Sequence, residues 1–302
     1  MDKFEGRDEI RPQFGNRFLT DEKDVFVHNA WDNVEWDAEQ EELAIKKVQE
    51  NSKRKYSQQE SEKFERDADK YWNAFYDIHQ NKFFKDRHWL LTEFPELDLD
   101  KICQISEEKV NILEIGCGVG NTIFPILQNT SRRNLFLFGC DFSETAINLL
   151  KGHSLYNENY CYAFICDVTS DEWNTPFEEN SLDIVVMIFV LSAISPVRFC
   201  HVVKKIKTYL KPGGQILFRD YGRYDMTQLR FKAGRCISDN FYARGDGTRV
   251  YFFTQDEIRQ LFTNEGFIEK QNIVDQRLQV NREKLLKMYR VWIQAKYMKP
   301  KM

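Results

Sequence analysis

The chain alternates between short, almost wholly apolar runs and longer polar stretches with helical periodicity. Five apolar runs lie at residues 110–115, 135–141, 162–167, 182–191 and 215–222. Runs of this length without polar alternation are typical of parallel strands that are covered on both faces. Helix-like segments separate them, so the pattern predicts a doubly wound, mostly parallel α/β sheet.

The C-terminal part of the chain predicts the elements that close this sheet. Residues 255–265 have the period of an amphipathic helix, and apolar runs at 267–277 and 289–297 follow it. We expect these runs to complete a seven-stranded sheet, with an antiparallel closing strand. The long stretch 223–248 lies before them, at a place where an insertion that determines substrate specificity is expected.

Upstream of the sheet, the pattern predicts an N-terminal extension over residues 1–69 and a sheet domain over 70–302. Aromatic residues set among Asn and Asp in the first forty positions suggest an extended arm, and 37–56 suggests a polar helix. Residues 57–69 are expected to form a flexible joint. The arm either packs on the domain as a belt, which we favour, or stacks against nucleobases.

The first apolar run leads into a glycine-rich turn. Glu114 ends the run, and glycines follow at alternate positions, Gly116, Gly118 and Gly120. Glycine accepts positive φ and lets a ligand lie directly on the backbone. The spacing differs from the G-x-G-x-x-G of dinucleotide sites, which disfavours a nicotinamide oxidoreductase.

Two further runs end in acidic residues, Asp141 and Asp167. Asp141 follows the glycines by about 20 residues, the distance expected for an acid that binds ribose hydroxyls. The carboxyl ends of parallel strands form the ligand-binding edge of open α/β sheets. Either acid could instead cap a helix, because Ser143 and Thr169 lie nearby, but the ordered strand ends favour a cofactor site.

The segment before the first strand combines aromatic and basic residues. Trp72, Phe75, Tyr76 and His79 recur at helical spacing, and Trp72 and Tyr76 are candidates for closing over a cofactor. In the following residues 81–89, cations are interleaved with aromatic rings, as in sites for unpaired nucleotides. The candidate contacts in this segment are Lys85, Arg87, His88 and Trp89.

Composition and charge narrow the class. The net charge is −4, yet residues 219–302 carry 17 basic and 10 acidic side chains, a balance that favours a local polyanion-binding face. No apolar stretch is long enough to span a bilayer, and the mixed-charge N-terminus fits neither a secretory signal nor a presequence. The seven cysteines contain no C-x-x-C pair, so we expect no metal site and reduced cysteines in a cytoplasmic or nuclear protein.

Several blocks together resemble the tRNA N3-methylcytidine methyltransferases, which are class I S-adenosylmethionine-dependent enzymes. The blocks are F-F-K-D-R-H-W at 83–89, L-E-I-G-C-G-V-G-N at 113–121, R-D-Y-G at 219–222 and G-D-G-T-R-V-Y-F-F at 245–253, with F-G-N-R-F-L at 14–19 in the arm. The arm resembles the threonine-tRNA branch. The resemblance implies methylation of an anticodon-loop cytidine, at position 32, with a tRNA anticodon stem-loop as partner. A helper such as an aminoacyl-tRNA synthetase is left open, and a monomer is the default.

The resemblance also assigns S-adenosylmethionine contacts. These are Trp72, Tyr76, Gly116, Asp141, Asp167, Val168 and Ile188, to which the glycine motif adds Glu114, Gly118 and Gly120.

Methyl transfer to cytosine N3 requires few catalytic side chains from the protein. Neutral cytosine N3 has an in-plane lone pair, so it attacks a sulfonium methyl without first losing a proton, and a carboxylate near the exocyclic amine would stabilise the cationic product. We favour Asp220, then Asp86, then Asp246. Each has a structural alternative: anchoring Arg219, pairing with Arg87, or shaping a turn.

Arg219 and Arg249 are candidate phosphate or base contacts, and Phe84, Trp89 or Tyr221 is expected to stack on the flipped base. A methyltransferase for a protein or small molecule and a non-catalytic RNA-binding subunit remain as alternatives.

Overall fold

The computed structural model describes residues 15, 17–98, 109–130 and 134–301. Of the predicted arm, residues 1–14 and Asn16 lie outside the described residues. Two positions of the block at 14–19 are among them.

Eight strands of the described part of the chain form the central sheet of the molecule. They are β1 (Ala30–Asp32), β2 (Val110–Ile115), β3 (Leu135–Asp141), β4 (Cys161–Ile165), β5 (Leu182–Ile188), β6 (Leu210–Tyr221), β10 (Ile268–Asn281) and β11 (Leu286–Met298). Their order in the sheet is β1-β10-β11-β6-β5-β2-β3-β4. Strands β2 to β6 are mutually parallel, and β11 runs antiparallel to both β6 and β10.

Helices cover the sheet and extend from its N-terminal side. In chain order they are α1 (Ala38–Ser52), α2 (Gln58–Arg66), α3 (Ala68–His79), α4 (Leu90–Glu93), α5 (Ile123–Gln128), α6 (Glu144–Lys151), α7 (Phe199–Tyr209), α8 (Met226–Leu229) and α9 (Gln255–Asn264). Buried apolar side chains form a core on each face of the sheet. No helix in the described part of the chain has both the length and the apolar character that a bilayer span requires.

The expected count of seven strands was wrong by one. The additional strand is β1, which comes from the N-terminal region and pairs with the edge strand β10, Trp31 lying opposite Leu278. Trp31 is buried beside Leu278 and Val280, and its indole Nε1 donates to the Val25 carbonyl at 2.8 Å. The short strand has no strong sequence signal because its stability comes from this tertiary packing.

Residues 57–69 are helical, contrary to the flexible joint expected there. Ser57 and Glu60 form a reciprocal capping box that begins α2, and such a box satisfies two otherwise unpaired backbone donors. Asp67 then ends α2 and begins α3, so the two helices follow each other directly.

The predicted insertion folds onto the N-terminal helices. It contains α8 and, with the residues after it, a second sheet of three short strands, β7 (Cys236–Ser238), β8 (Phe241–Ala243) and β9 (Arg249–Tyr251). The side chain of Asn51 on α1 donates to the Gln228 carbonyl, and the Ser52 and Tyr242 hydroxyls lie 3.0 Å apart. Helix α1 and the insertion therefore form one continuous wall.

Candidate functional site

A cavity of about 430 Å³ opens at the carboxyl edge of β2, β3, β4 and β5. Its size is in the range of small-molecule sites. The wall combines strand ends, the glycine turn, the loop after β5 and helices α2 and α3. Of the predicted cofactor residues, it includes Trp72, Tyr76, Gly116, Gly118, Asp141, Asp167, Val168 and Ile188.

The glycine turn brings backbone directly against helix α3. Gly118 has a φ of +52°, and a Cβ at this position would lie 2.5 Å from the Tyr76 hydroxyl oxygen. Gly116 has a φ of +64°, and its Cβ would lie 2.4 Å from Val190. L-residues are strained at such φ values, so glycine is required here both for conformation and for space.

Asp141 provides a carboxylate at the centre of the wall. One oxygen accepts from the Gly118 N–H and the other from the Ser143 N–H, both at 2.9 Å. Burial raises the pKa of Asp141 to about 6, although the hydrogen bonds from backbone N–H groups oppose the shift. Each carboxylate oxygen has a further lone-pair site, so the group can accept two more hydrogen bonds from a diol.

Behind the turn lies a buried ion pair. Arg87 Nη1 is 3.4 Å from Glu114 Oε1 and donates to the Thr122 hydroxyl at 2.9 Å. Burial raises the pKa of Glu114 to about 7, against the lowering effect of Arg87. Glu114 Oε2 is buried without a hydrogen-bond partner among the described residues. Glu114 and Gly120 lie outside the wall itself, whereas Arg87 is part of it.

Asp167 and Val168 form the edge contributed by β4. Asp167 Oδ1 accepts from the backbone N–H and the hydroxyl of Thr169, at 2.8 and 2.7 Å. The Val168 carbonyl accepts from the indole of Trp173. The alternative that Asp167 caps a helix is wrong, because residues 168–181 contain no helix. Its carboxylate shapes the turn after β4, and Asp167 is part of the cavity wall.

The three carboxylates favoured for the transfer step do not lie in the wall. Asp220 is fully buried, accepts from the Ser192 and Tyr221 N–H groups at 2.9 and 2.8 Å, and has a pKa raised to about 6 by burial. It braces the loop after β5 and does not anchor Arg219. Asp246 accepts from Thr248 and shapes its turn.

Asp86, the second candidate, is exposed beside the cavity. Its Oδ1 accepts from the Asn121 side chain at 3.0 Å, and Asn121 is part of the wall. The backbone of the same loop is held to the glycine turn, since the Arg87 N–H donates to the Asn121 carbonyl at 2.8 Å. Asp86 therefore positions the loop at the cavity mouth and does not pair with Arg87.

The basic and aromatic candidates separate into exposed and buried groups. Lys85, His88 and Trp89 are exposed on the 81–89 loop. Arg219 is 5% exposed, is 2.5 Å from Asp275 and donates to Gln294, so its guanidinium does not reach the cavity. The tryptophan rings at 89 and 292 lie 5.1 and 4.8 Å from it.

Tyr221 also lies behind the wall, although it contacts a residue that is in it. Its ring is 5.1 Å from the ring of Phe189. Phe84, another stacking candidate, is part of the wall, and Arg87 extends towards Phe189 across the same side, 5.9 Å from its ring.

Arg249, by contrast, lines the cavity and forms an ion pair with another residue of the wall. Its side chain is 7% exposed and pairs with Glu65 near the end of α2. Sequence reasoning placed Arg249 at the site but missed Glu65. The available signal was periodicity, because Glu65, Asp69, Trp72 and Tyr76 recur at i, i+4, i+7 and i+11 and all four line the wall.

The side chains that line the cavity are suited to bind a nucleoside that carries a transferable methyl group. Asp141 has acceptor sites for a ribose diol, and Ile165, Val168 and Ile188 offer apolar surface for a purine. Glu114 Oε2, which has no hydrogen-bond partner in the described part of the chain, lies at the end of β2 before the turn. In the described ranges no group of three or more His, Cys, Asp or Glu side chains is arranged to hold a metal ion.

The sheet order and this site define a class I methyltransferase. A family model described as "Methyltransferase domain" matches residues 113–216. A Burkholderia thailandensis 1,6-didemethyltoxoflavin-N1-methyltransferase, solved with S-adenosylhomocysteine, is similar with a TM-score of 0.50 at 14% identity, over 79% of this chain and 90% of that one. The predicted fold class is confirmed.

Sequence relatives identify the family. The chain is 52% identical to a Xenopus tropicalis tRNA N(3)-cytidine methyltransferase METTL2, over 96% of this chain and 95% of that protein. It is 45% identical to a Saccharomyces cerevisiae tRNA(Thr) (cytosine(32)-N(3))-methyltransferase, over 96% of this chain and 46% of that protein. The chain belongs to the tRNA N(3)-cytidine methyltransferase family, and the predicted family is confirmed.

Proposed function

We propose that this chain transfers a methyl group from S-adenosylmethionine to N3 of a cytidine in tRNA, at position 32 of the anticodon loop in threonine-type tRNAs. The observation that carries the proposal is a single cavity. It joins Asp141, the carboxylate that we assign to the ribose, to Phe84 and Arg87 of the 81–89 loop and to Arg249. The family to which the chain belongs supports the substrate.

The donor would be held by residues that line or underlie the cavity. Asp141 would accept from the ribose hydroxyls, and Trp72 and Tyr76 on α3 line the same cavity. Arg87 and Glu114 lie beneath the glycine turn, near the place for charged groups of the amino-acid portion. Bound there, S-adenosylmethionine would supply a methyl group on a sulfonium, whose carbon a nitrogen lone pair can attack while the neutral thioether leaves.

The protein's contribution to the transfer is alignment and exclusion of water. The N3–methyl bond forms as the sulfur–methyl bond breaks, no proton leaves N3, and the base gains one positive charge. Asp220, which the sequence suggested as the carboxylate that stabilises the cationic product, is buried outside the cavity wall, so we assign it no contact with the base. Holding the two reactants in line is the largest available effect.

The exposed residues of the 81–89 loop are suited to the RNA. Lys85 and His88 lie at the surface and Trp89 is 37% exposed, so cations and a ring are presented together. Such a surface binds phosphate and stacks on an unpaired base. Phe84, within the wall, is placed to contact a base that has been flipped out of the loop.

Label transfer from radioactive S-adenosylmethionine tests the function. Purified protein is incubated with total tRNA, with a protein extract and with small metabolites, and labelled tRNA is digested for nucleoside analysis. We expect label in tRNA as 3-methylcytidine, and a position 32 cytidine-to-uridine transcript to lose it. Label only in protein or metabolites would support another methyltransferase, and failure to bind the donor would support a non-catalytic subunit.

A further inference from the structure

The cavity wall contains four acidic residues, none of them assigned to the target base: Glu65, Asp69, Asp141 and Asp167. Asp141 and Asp167 accept hydrogen bonds from backbone N–H groups at the strand ends, on the side suited to the donor nucleoside. The other two lie on the helical side. A carboxylate for the base must therefore come from α2 or α3.

Glu65 is distinguished from Asp69 by its partner. The buried Arg249 guanidinium pairs with Glu65, whereas among the described residues Asp69 forms no ion pair. The Glu65 side chain itself remains 47% exposed at the cavity. Among the described residues, the guanidinium hydrogen bond of Arg249 is the one from Nη1 to Glu65, so others of its five N–H donors remain available. The pair thus presents a carboxylate acceptor and additional N–H donors side by side.

The position of the pair is fixed by close packing between α3 and the insertion. A Cβ at Gly247 would lie 2.1 Å from the Tyr71 ring, so the turn before β9 lies directly on the helix. The Arg249 guanidinium is 5.4 Å from the Phe241 ring, which limits its movement. Glu65 is therefore held from the side of the insertion and not only by its own helix.

We propose that Glu65, held by Arg249, accepts a hydrogen bond from the exocyclic amine of the target cytosine and stabilises the positive charge that methylation creates. This inference rests on the proposed function. Cytosine offers an N4–H donor next to N3. A carboxylate there attracts cytosine and repels uracil, which has an acceptor oxygen at that place. It also faces the amidinium-like charge of the product.

The test compares Glu65→Gln with Glu62→Gln. Glu62 lies on the same exposed helix, accepts from Gln58 and is absent from the wall, so it is a matched control. Glutamine keeps an acceptor for the amine but removes the charge. We expect single-turnover methyl transfer to slow by about 10- to 100-fold in Glu65→Gln, and Glu62→Gln to remain within about twofold of the wild type, a scatter typical of surface changes.

Equilibrium binding distinguishes charge stabilisation by Glu65 from a purely structural role of this residue, which would not change the preference for the methylated stem-loop. Wild-type protein should bind an anticodon stem-loop containing 3-methylcytidine more tightly than the unmodified one, and Glu65→Gln should lose this preference by about fivefold or more. Its affinities for the unmodified stem-loop and for S-adenosylhomocysteine should stay within about threefold of wild type, since removing the charge leaves their contacts in place.

An unchanged rate and product preference in Glu65→Gln would overturn the inference while leaving the proposed function intact. A uniform loss of affinity for both stem-loops and the donor analogue would also overturn it, because it would indicate a structural role. Wild-type protein that methylates no tRNA would overturn both the proposed function and this inference.

Discussion

Replacing Asp141 by asparagine separates donor binding from folding. The carboxylate is buried, and its ionisation in the donor-free protein is unfavourable because the pKa rises from its ordinary 3.8 to about 6. This displacement corresponds to about 3 kcal/mol at pH 8. Asparagine carries no charge and therefore removes this cost of ionisation. Its amide NH₂, however, faces the N–H of either Gly118 or Ser143, and an unsatisfied buried donor costs about 1–3 kcal/mol. The free energy of unfolding should therefore change little at pH 8.

Donor affinity should fall steeply in the same variant. Hydrogen bonds from two ribose hydroxyls to a charged acceptor contribute about 1.5–3 kcal/mol each, so S-adenosylhomocysteine should bind at least about 100-fold more weakly. Titration calorimetry measures this loss, with Asp171→Asn, an exposed acid, as control. Unchanged affinity would remove Asp141 from the ribose site.

The pH dependence of Asp141 gives a second, independent check. A carboxyl whose pKa is raised on folding favours the folded state at low pH, and this contribution is lost as the pH rises through about 6. Without donor, the free energy of unfolding of the wild type should fall by about 2 kcal/mol, relative to that of Asp141→Asn, between pH 4 and pH 7. Urea unfolding at both pH values measures the difference, and a constant difference would contradict a buried ionised group.

Three further changes test the surroundings of the cavity. Asp220→Asn should leave S-adenosylhomocysteine affinity within about threefold and slow single-turnover transfer by less than about tenfold; a larger fall in rate with normal affinity would return Asp220 to the chemistry. Arg87→Ala removes the partner of buried Glu114 and should destabilise the protein by about 3 kcal/mol. The loss of unfolding free energy, measured with urea, should be greater at pH 8 than at pH 5, because only ionised Glu114 needs the arginine. The salt dependence of tRNA binding should be unchanged. Gly118→Ala should weaken donor binding more than tenfold by calorimetry. Adding Tyr76→Phe to this variant should partly restore binding, because the new Cβ would otherwise meet the Tyr76 hydroxyl. A double variant without any restoration would refute the steric explanation.

The sequence determined the parallel part of the sheet, the glycine turn with Asp141 near it, and the family. Strands β2 and β3 occupy the ranges that their apolar runs predict, and Asp141 ends β3 as expected. These predictions succeed because parallel strands buried on both faces have an almost wholly apolar composition, and because a glycine turn between strand and helix restricts residue type locally. Neither property depends on a distant part of the chain.

Only the tertiary structure shows which charged residues meet on the helical side of the cavity. Asp220 and Arg219 follow each other at the end of β6, yet both are buried in separate hydrogen-bond networks. Glu65 and Arg249 are 184 residues apart in the sequence and meet because the chain segment after the insertion packs against the N-terminal helices. A local pattern records whether a residue is polar and which face of its own element it occupies. It does not record which distant charge will neutralise it, and that pairing determines whether a buried carboxylate braces the fold or faces a ligand.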